Sequence, residues 1–162
     1  MNVALDTATL LEPSPPPLTG SAQRELLWLF PKQADTRLTA NFTLREFHCG
    51  CRDSECFSTL LHPRLIDTLQ TLRELAARPL VITSGFRCRL HNDRTGGRPR
   101  SFHVQGMAAD IACAASGQRE ELLEAARRVP AVGGLGSYPG KGCVHLDIRR
   151  RAAGAAIVEW SE

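Results

Sequence analysis

Two short segments carry histidine and aspartate at spacings that suit a metal site. SFHVQGMAAD at 101–110 holds His103 and Asp110, and CVHLDIR at 143–149 holds His145. A catalytic zinc ion usually takes three ligands from His, Asp or Glu and leaves a fourth position for water. His103, Asp110 and His145 supply that number. Zinc-bound water ionises near neutral pH and the metal polarises carbonyls, so the chemistry indicated is hydrolysis.

The second segment also predicts how one ligand is presented. In a β-strand, alternate side chains point to opposite faces. One face of 143–149 would be apolar, with Val144, Leu146 and Ile148, while the other would carry Cys143, His145, Asp147 and Arg149. Asp147 is therefore expected beside His145. A carboxylate there either orients the ligand or takes the proton from a metal-bound water.

Spacing alone leaves a second interpretation open, because a single histidine is more often a core or surface residue than a ligand. The chain has five histidines, and His48, His62 and His91 have no comparable companions. His48 could at most join a group of cysteines. The seven residues from His103 to Asp110 suit one helix face, but the glycine and the AADIA run between and after them favour a loop followed by a strand.

The cysteines form a second group of candidate ligands. The six are Cys49, Cys51, Cys56, Cys88, Cys113 and Cys143, and three of them fall within HCGCRDSEC. This clustering predicts a structural zinc ion or local disulfides, and unpaired thiols are the third alternative. The C-x-C-x4-C spacing differs from the usual C-x2-C. A structural metal, if bound, is expected at Cys49, Cys51, Cys56 and Cys88.

Helix and strand signals alternate without regular βαβ spacing. Helices are predicted at 63–77 and 118–129 from apolar residues three and four apart, and strands at 80–84, 108–112 and 143–149. The glycine-rich stretch at 84–101 is expected to be a loop, and GGLGSYPGKG a turn into the last strand. This pattern predicts an α+β fold, in which a small antiparallel sheet is flanked by helices.

The first 40 residues are expected to be an N-terminal extension, with the functional domain at 41–162. Four prolines between residues 13 and 17 indicate a stiff linker, and SAQRELLWLF at 21–30 predicts a short helix. TLREF at 43–47 predicts a helix start in which Thr43 and Glu46 cap each other. The N-terminus lacks the features of a secretory signal, so we expect synthesis in the cytoplasm and no signal-dependent export.

Composition excludes several classes of protein. With 162 residues, 43% apolar and 23% charged, the chain predicts a soluble globular domain, and no apolar run approaches a membrane span. The net charge is +3, and 18 of the 20 basic residues are Arg, which favours anionic groups and carboxylates. The Arg-rich segments lack interleaved aromatics, which disfavours nucleic-acid binding. We expect a monomer.

The motifs in combination resemble one enzyme family. S-x-H-x-x-G-x-A-x-D at 101–110 resembles the signature of peptidase family M15, the zinc D-Ala-D-Ala carboxypeptidases and related murein endopeptidases. GGLGSYPGKGCVHLDIR is similar to the glycine turn and strand that carry the family's third ligand. SGFRCRLHN and NFTLREFHC are similar to further segments of its single-domain members. The likeness covers about 42–149.

This resemblance implies a fold, a cofactor and residue roles. The fold would be that of the D-Ala-D-Ala carboxypeptidases and hedgehog-like domains, with zinc on the sheet face held by His103, Asp110 and His145. Arg87 would bind a substrate carboxylate or stabilise the developing oxyanion, and Ser101 would line the substrate site. The substrate would be a peptidoglycan stem peptide, cut by a D,D-carboxypeptidase or an endopeptidase, as in endolysins.

The chain also departs from the family pattern. Several branches carry Glu or Asp three residues before the last ligand, where this chain has Gly142, and others carry His two residues before it, where this chain has Cys143. The general base is therefore not assigned by the resemblance, and Asp147 is the nearest carboxylate on the strand. A catalytically weak cell-wall-binding or phage structural module is the alternative function.

Overall fold

A five-stranded sheet carries both histidine segments. The computed structural model describes residues 27–32, 34–52, 55–113 and 115–162. The strands of the sheet are β3 Ile82–Ser84, β4 Ala108–Ala112, β5 Gly134–Tyr138, β6 Cys143–Asp147 and β7 Val158–Ser161. They lie side by side in the order β3-β4-β6-β5-β7. All neighbours are antiparallel except β5 and β7, which pair in parallel.

The predicted α+β class is confirmed, and the two long helices lie where their apolar spacing indicated. Helix α1 is Pro63–Leu75, α2 is Arg89–Arg94 and α3 is Ser116–Arg127. Pro63 occupies the first turn of α1, where its missing N–H costs no hydrogen bond, and the His62 ring accepts a hydrogen bond from the Arg64 N–H. The helix ends two residues before the predicted end, and Ala77 has a φ of 49°.

The apolar core lies between one sheet face and the two long helices. On β6, Val144 and Leu146 belong to it, together with Leu69 of α1 and Leu122 of α3. The opposite face of β6 carries His145 and therefore looks away from the helices. Burial of the apolar face stabilises the strand that presents this histidine.

A short 3-10 helix at Leu44–Phe47 closes one edge of the core. As predicted, Glu46 reaches back, and its carboxylate accepts the backbone N–H of Thr43 at 2.7 Å. Phe42 and Phe47 are buried on either side, with ring centroids 6.0 Å apart. The Phe86 N–H donates to the Phe47 carbonyl at 2.9 Å, so this segment supports the loop after β3.

The helix predicted at 21–30 is wrong in the part that can be described. Trp28–Pro31 forms β1, which pairs antiparallel with β2, Ser58–Leu61, in a separate two-stranded sheet. Its alternating burial shows that strand pairing overrides the weak helical pattern of a four-residue segment. Residues 21–26 and the proline-rich stretch lie outside the described residues. The domain boundary at residue 41 stays a prediction.

Two segments expected to be irregular contain regular structure. The loop predicted at 84–101 contains α2, and the glycine-rich segment before β6 forms β5. The C-terminal strand β7 was not predicted at all. It pairs with β5 over Gly134–Ser137, so its position depends on a strand that the sequence pattern did not reveal. Among the described residues, no helix is long and apolar enough to cross a membrane.

A pair of leucines on α1 tests how the core depends on this helix. Leu69 is fully buried, while Leu75 on the same helix is 38% exposed. Leu69→Ala should lower the free energy of unfolding by about 2–5 kcal/mol, since it removes buried methyl groups and leaves a cavity. The matched control Leu75→Ala should cost under about 1 kcal/mol. Urea unfolding measures both, and equal losses would contradict the proposed packing of α1.

Candidate metal centre

Strand pairing brings two of the predicted ligands together. Asp110 of β4 lies directly across from His145 of β6 in the antiparallel register. Side chains of directly opposed residues point to the same face and lie about 5 Å apart at Cβ. His103 comes from a tight turn before β4, closed by the Gly106 N–H, which donates to the His103 carbonyl. The turn places the His103 ring over the same face of the sheet.

The three side chains converge through one atom each. His103 Nε2 and His145 Nδ1 are 3.1 Å apart, and they lie 3.1 Å and 2.9 Å from Asp110 Oδ1. The ligands of a tetrahedral zinc ion with bonds of 2.0–2.1 Å are separated by about 3.3 Å. The observed distances are thus only slightly shorter than those between the ligands of a bound zinc ion. These three groups could hold a metal ion.

Contacts on the far side of each ring decide which nitrogen carries hydrogen. His103 Nδ1 lies 2.7 Å from the Gly85 carbonyl oxygen, which can only accept, so Nδ1 donates. His145 Nε2 likewise faces the Asp147 carboxylate, at 3.2 Å. When both rings are neutral, as a metal ligand requires, each turns a lone pair towards Asp110 Oδ1. Three electron-rich atoms repel one another unless a cation or a proton lies among them, and this donor set fits zinc.

The ionisation of these groups follows from burial and from their mutual contacts. Burial lowers the pKa of His103, which favours the neutral imidazole. For Asp110, burial opposes ionisation, but the contacts with both histidine rings outweigh it and hold the pKa well below its usual range. Burial also lowers the pKa of His145, but its hydrogen bonds to Asp110 and Asp147 prevail and raise it. A bound metal would displace that proton.

Asp147 supports the ring of His145 and is itself held by Arg149. It is fully buried, and its Oδ1 accepts the Arg149 backbone N–H at 3.0 Å and the guanidinium Nε–H at 2.8 Å. Burial opposes its ionisation, but these bonds and that from His145 lower its pKa to about 2. A Cβ on Gly134 would lie 2.5 Å from the Asp147 carboxylate, so this pair requires glycine on the neighbouring strand.

Arg87 holds the other oxygen of the central carboxylate. Its Nη2 donates to Asp110 Oδ2 at 2.6 Å, and its Nε donates to the Ser84 hydroxyl at 2.8 Å. Asp110 therefore presents Oδ1 to the histidines and Oδ2 to Arg87. Charge-assisted bonds of this kind fix a carboxylate strongly, so Arg87 orients the candidate ligand.

Trp160 of β7 lies over the same face of the sheet. Its ring centroid is 5.4 Å from that of His145, and its indole N–H donates to the Tyr138 hydroxyl at 2.8 Å. Gly136 lies between the two rings in the strand register, and a Cβ there would approach the indole to 2.6 Å. Glycine at this position therefore allows the tryptophan to cover the site.

The three candidate ligands open into a cavity of about 540 Å³. Its lining is basic, with Arg87, Arg98, Arg100, Lys141 and Arg149. Ser101 also lines it, and its hydroxyl accepts the His103 backbone N–H at 3.3 Å, which supports the ligand turn. A cavity with this excess of positive charge favours substrates with carboxylates.

The resemblance leads us to expect a carboxylate at position 142, where this chain has glycine, between the cavity-lining residues Lys141 and Cys143. Gly142 has a φ of 63° and ends a 3-10 turn at Pro139–Lys141, directly before β6. Cys143 is buried and lines the cavity. Asp147 contacts the ring nitrogen of His145 that points away from the triangle. Among the described residues that line the cavity, Glu162 is the one carboxylate outside the three candidate ligands.

Sequence reasoning selected the converging groups but missed those that surround them. His103, Asp110, His145, Arg87, Ser101 and Asp147 all lie at or next to one cavity. Trp160 and Tyr138 were missed because β5 and β7 were not predicted. The Gly85 carbonyl was missed because a backbone contact over 18 residues leaves no signal in the sequence.

The segments that carry the candidate ligands lie within the match to one protein family. A family model described as Peptidase M15 matches residues 40–147, about two thirds of the chain. No curated protein matches the chain. The matched range includes the turn of His103, both strands of the triangle and the loop of Arg87. The chain belongs to the peptidase M15 family.

Proposed function

We propose that this protein is a zinc metallopeptidase whose metal is held by His103, Asp110 and His145. The observation that carries the proposal is the convergence of two imidazole nitrogens and one carboxylate oxygen within 3.1 Å of one another. The resemblance of the ligand motif and the family match support the same metal. Zinc bound here would lower the pKa of a water molecule and polarise a substrate carbonyl.

The surrounding residues orient the ligands. Gly85 and Asp147 fix the two rings through their outer nitrogens, and Arg87 fixes Asp110. We assign Asp147 an orienting role, because its carboxylate contacts His145 Nε2 while Nδ1 faces the triangle. This leaves Glu162 as our candidate for the group that accepts the proton of the attacking water, since Glu162 is the remaining acidic residue among the described residues that line the cavity.

We further propose that the substrates are stem peptides of bacterial peptidoglycan. Such peptides are short and carry free carboxylates, which suit the five basic residues around the cavity. Arg87 can meet a carboxylate or a developing oxyanion there while it holds Asp110. The enzyme would act as a D,D-carboxypeptidase on the terminal residue or as an endopeptidase within the stem.

The first prediction concerns zinc content. His103→Ala should lower the content by one ion per chain, because two ligands bind zinc far more weakly than three. His91→Ala is the matched control, since His91 lies outside the triangle, and it should keep the wild-type content. Elemental analysis of purified protein measures both. An unchanged zinc content in His103→Ala would exclude the proposed ligand set.

Measuring activity against zinc concentration distinguishes the roles of Asp147 and Glu162. Asp147→Asn should weaken zinc binding by roughly 10- to 100-fold, because a partner of a ligand is lost, and excess zinc should restore its activity. Glu162→Gln should keep zinc and lose roughly 10²-fold or more in turnover at every zinc concentration. A flat, low response of Asp147→Asn would instead make Asp147 the base. Full activity of Glu162→Gln would remove Glu162 from the reaction.

Substrate class is tested with purified peptidoglycan and with synthetic stem peptides. Mass analysis after incubation with the zinc-loaded protein should detect free D-alanine if it is a carboxypeptidase, or shorter stem fragments if it is an endopeptidase. Arg87→Lys should lower kcat/KM roughly 10- to 100-fold for peptides with a free terminal carboxylate, and less for the matching amides, at unchanged zinc content. Binding to peptidoglycan without any release would favour the binding-module alternative.

A further inference from the structure

Four of the six cysteines form a cluster outside the candidate metal centre. Cys49 and Cys51 follow the 3-10 helix, Cys56 precedes β2, and Cys88 directly precedes α2. Their Sγ atoms all lie within 4.8 Å of one another. Three separate segments therefore bring four soft ligands to one point, although the last is 32 residues beyond the third.

The spacing of the sulfur atoms suits a metal ion. Cys51 Sγ and Cys88 Sγ are 3.8 Å apart. In a tetrahedral zinc site with Zn–S bonds of about 2.3 Å, the sulfurs are separated by about 3.8 Å. A disulfide requires about 2.05 Å. None of the six cysteines, all within the described residues, is paired in a disulfide.

Polar donors surround the sulfurs as they would surround thiolates. The Cys88 backbone N–H donates to Cys49 Sγ at 3.3 Å, and the His91 backbone N–H donates to Cys88 Sγ at 3.4 Å. The Lys32 ammonium lies 3.5 Å from Cys51 Sγ and 2.8 Å from the Cys51 carbonyl oxygen. Four thiolates on one Zn²⁺ carry a net charge of −2, which these donors and this lysine partly compensate.

His48 is engaged elsewhere. Its ring nitrogens contact the Thr59 hydroxyl at 2.6 Å and the Ala34 carbonyl oxygen at 2.8 Å. The four sulfurs therefore complete the tetrahedron without a histidine, and no position is left for water. A closed set of four protein ligands is the mark of a structural zinc site.

We propose that Cys49, Cys51, Cys56 and Cys88 bind a structural zinc ion. Metal binding releases the thiol protons, so four Zn–S bonds replace four S–H bonds without any redox step. The ion joins the segment after the 3-10 helix to the loop between β3 and α2. The proposal does not depend on the proposed function.

The ion would hold the loop that contacts two of the candidate ligands. Cys88 follows Arg87, which holds Asp110, and Gly85 in the same loop accepts the hydrogen bond of His103. Anchoring Cys88 to Cys49 and Cys51 fixes the loop from its far end. The ion is thus a positioning element for the candidate metal centre and touches no reacting atom.

The test counts zinc in the full chain purified with reducing agent. Cys51→Ser should lose one zinc ion per chain, because Cys51 is a ligand and is half-buried, which makes serine tolerable. The matched control Cys113→Ala changes a buried cysteine outside the cluster and should lose none. In His103→Ala, the remaining zinc should show four sulfur neighbours at about 2.3 Å by X-ray absorption.

The possible results distinguish zinc bound at the cysteines from zinc bound at the candidate metal centre. If only the cysteine site binds zinc, the wild type holds one ion, which His103→Ala keeps and Cys51→Ser loses. If Cys51→Ser does not fold, Cys51→His should keep the ion with three sulfurs and one nitrogen. Oxygen or nitrogen neighbours alone around the zinc of His103→Ala would overturn the proposal. So would two disulfides found by alkylation and mass analysis in protein purified without reductant, with no second zinc.

Discussion

The antiparallel pairing of β4 with β6 is the constraint on which the candidate metal centre depends. It places Asp110 opposite His145, so their side chains share one face of the sheet at the distance of neighbouring ligands. A shift of one residue in this register would turn one of them into the helix-covered face. The apolar side chains of both strands oppose such a shift, because they would leave the core.

The two faces of the sheet therefore have different energetic roles. Burial of Val144, Leu146 and Ile111 against the helices stabilises the pairing register of β4 and β6. The geometry of the site depends on that register. The site face holds buried polar groups, which are costly unless paired. Here each has a partner: His103 has Gly85, His145 has Asp147, and Asp147 has Arg149.

The contacts on the outer nitrogens also hold the two rings in an orientation that would suit a bound cation. His103 and His145 use different nitrogens, Nε2 and Nδ1, and in each ring the outer nitrogen is occupied by an acceptor. Arg87 acts in the same way on Asp110. These contacts would reduce the movement of the ligand side chains that metal binding requires. Hydrogen-bond partners of metal ligands usually contribute in this way.

The sequence by itself determined the class of fold, the main elements and the candidate ligands. Apolar periodicity located α1, α3, β4 and β6, because these elements repeat a local pattern over five residues or more. The motif around His103 and Asp110, together with the resemblance to a family, indicated the candidate ligands. Such information lies within short stretches of chain.

Tertiary structure alone decided the contacts that assign roles. The bond from Arg87 to Asp110 and the position of Trp160 over the site both join distant segments. Asp147 is only two residues from His145, but the ring nitrogen that it contacts is set by the contact of the other nitrogen with Asp110. β1 and β7 are four residues each, so their strand form depends on partners rather than on their own pattern. Pairings between distant segments are set by packing and register, and a local sequence pattern carries no record of them.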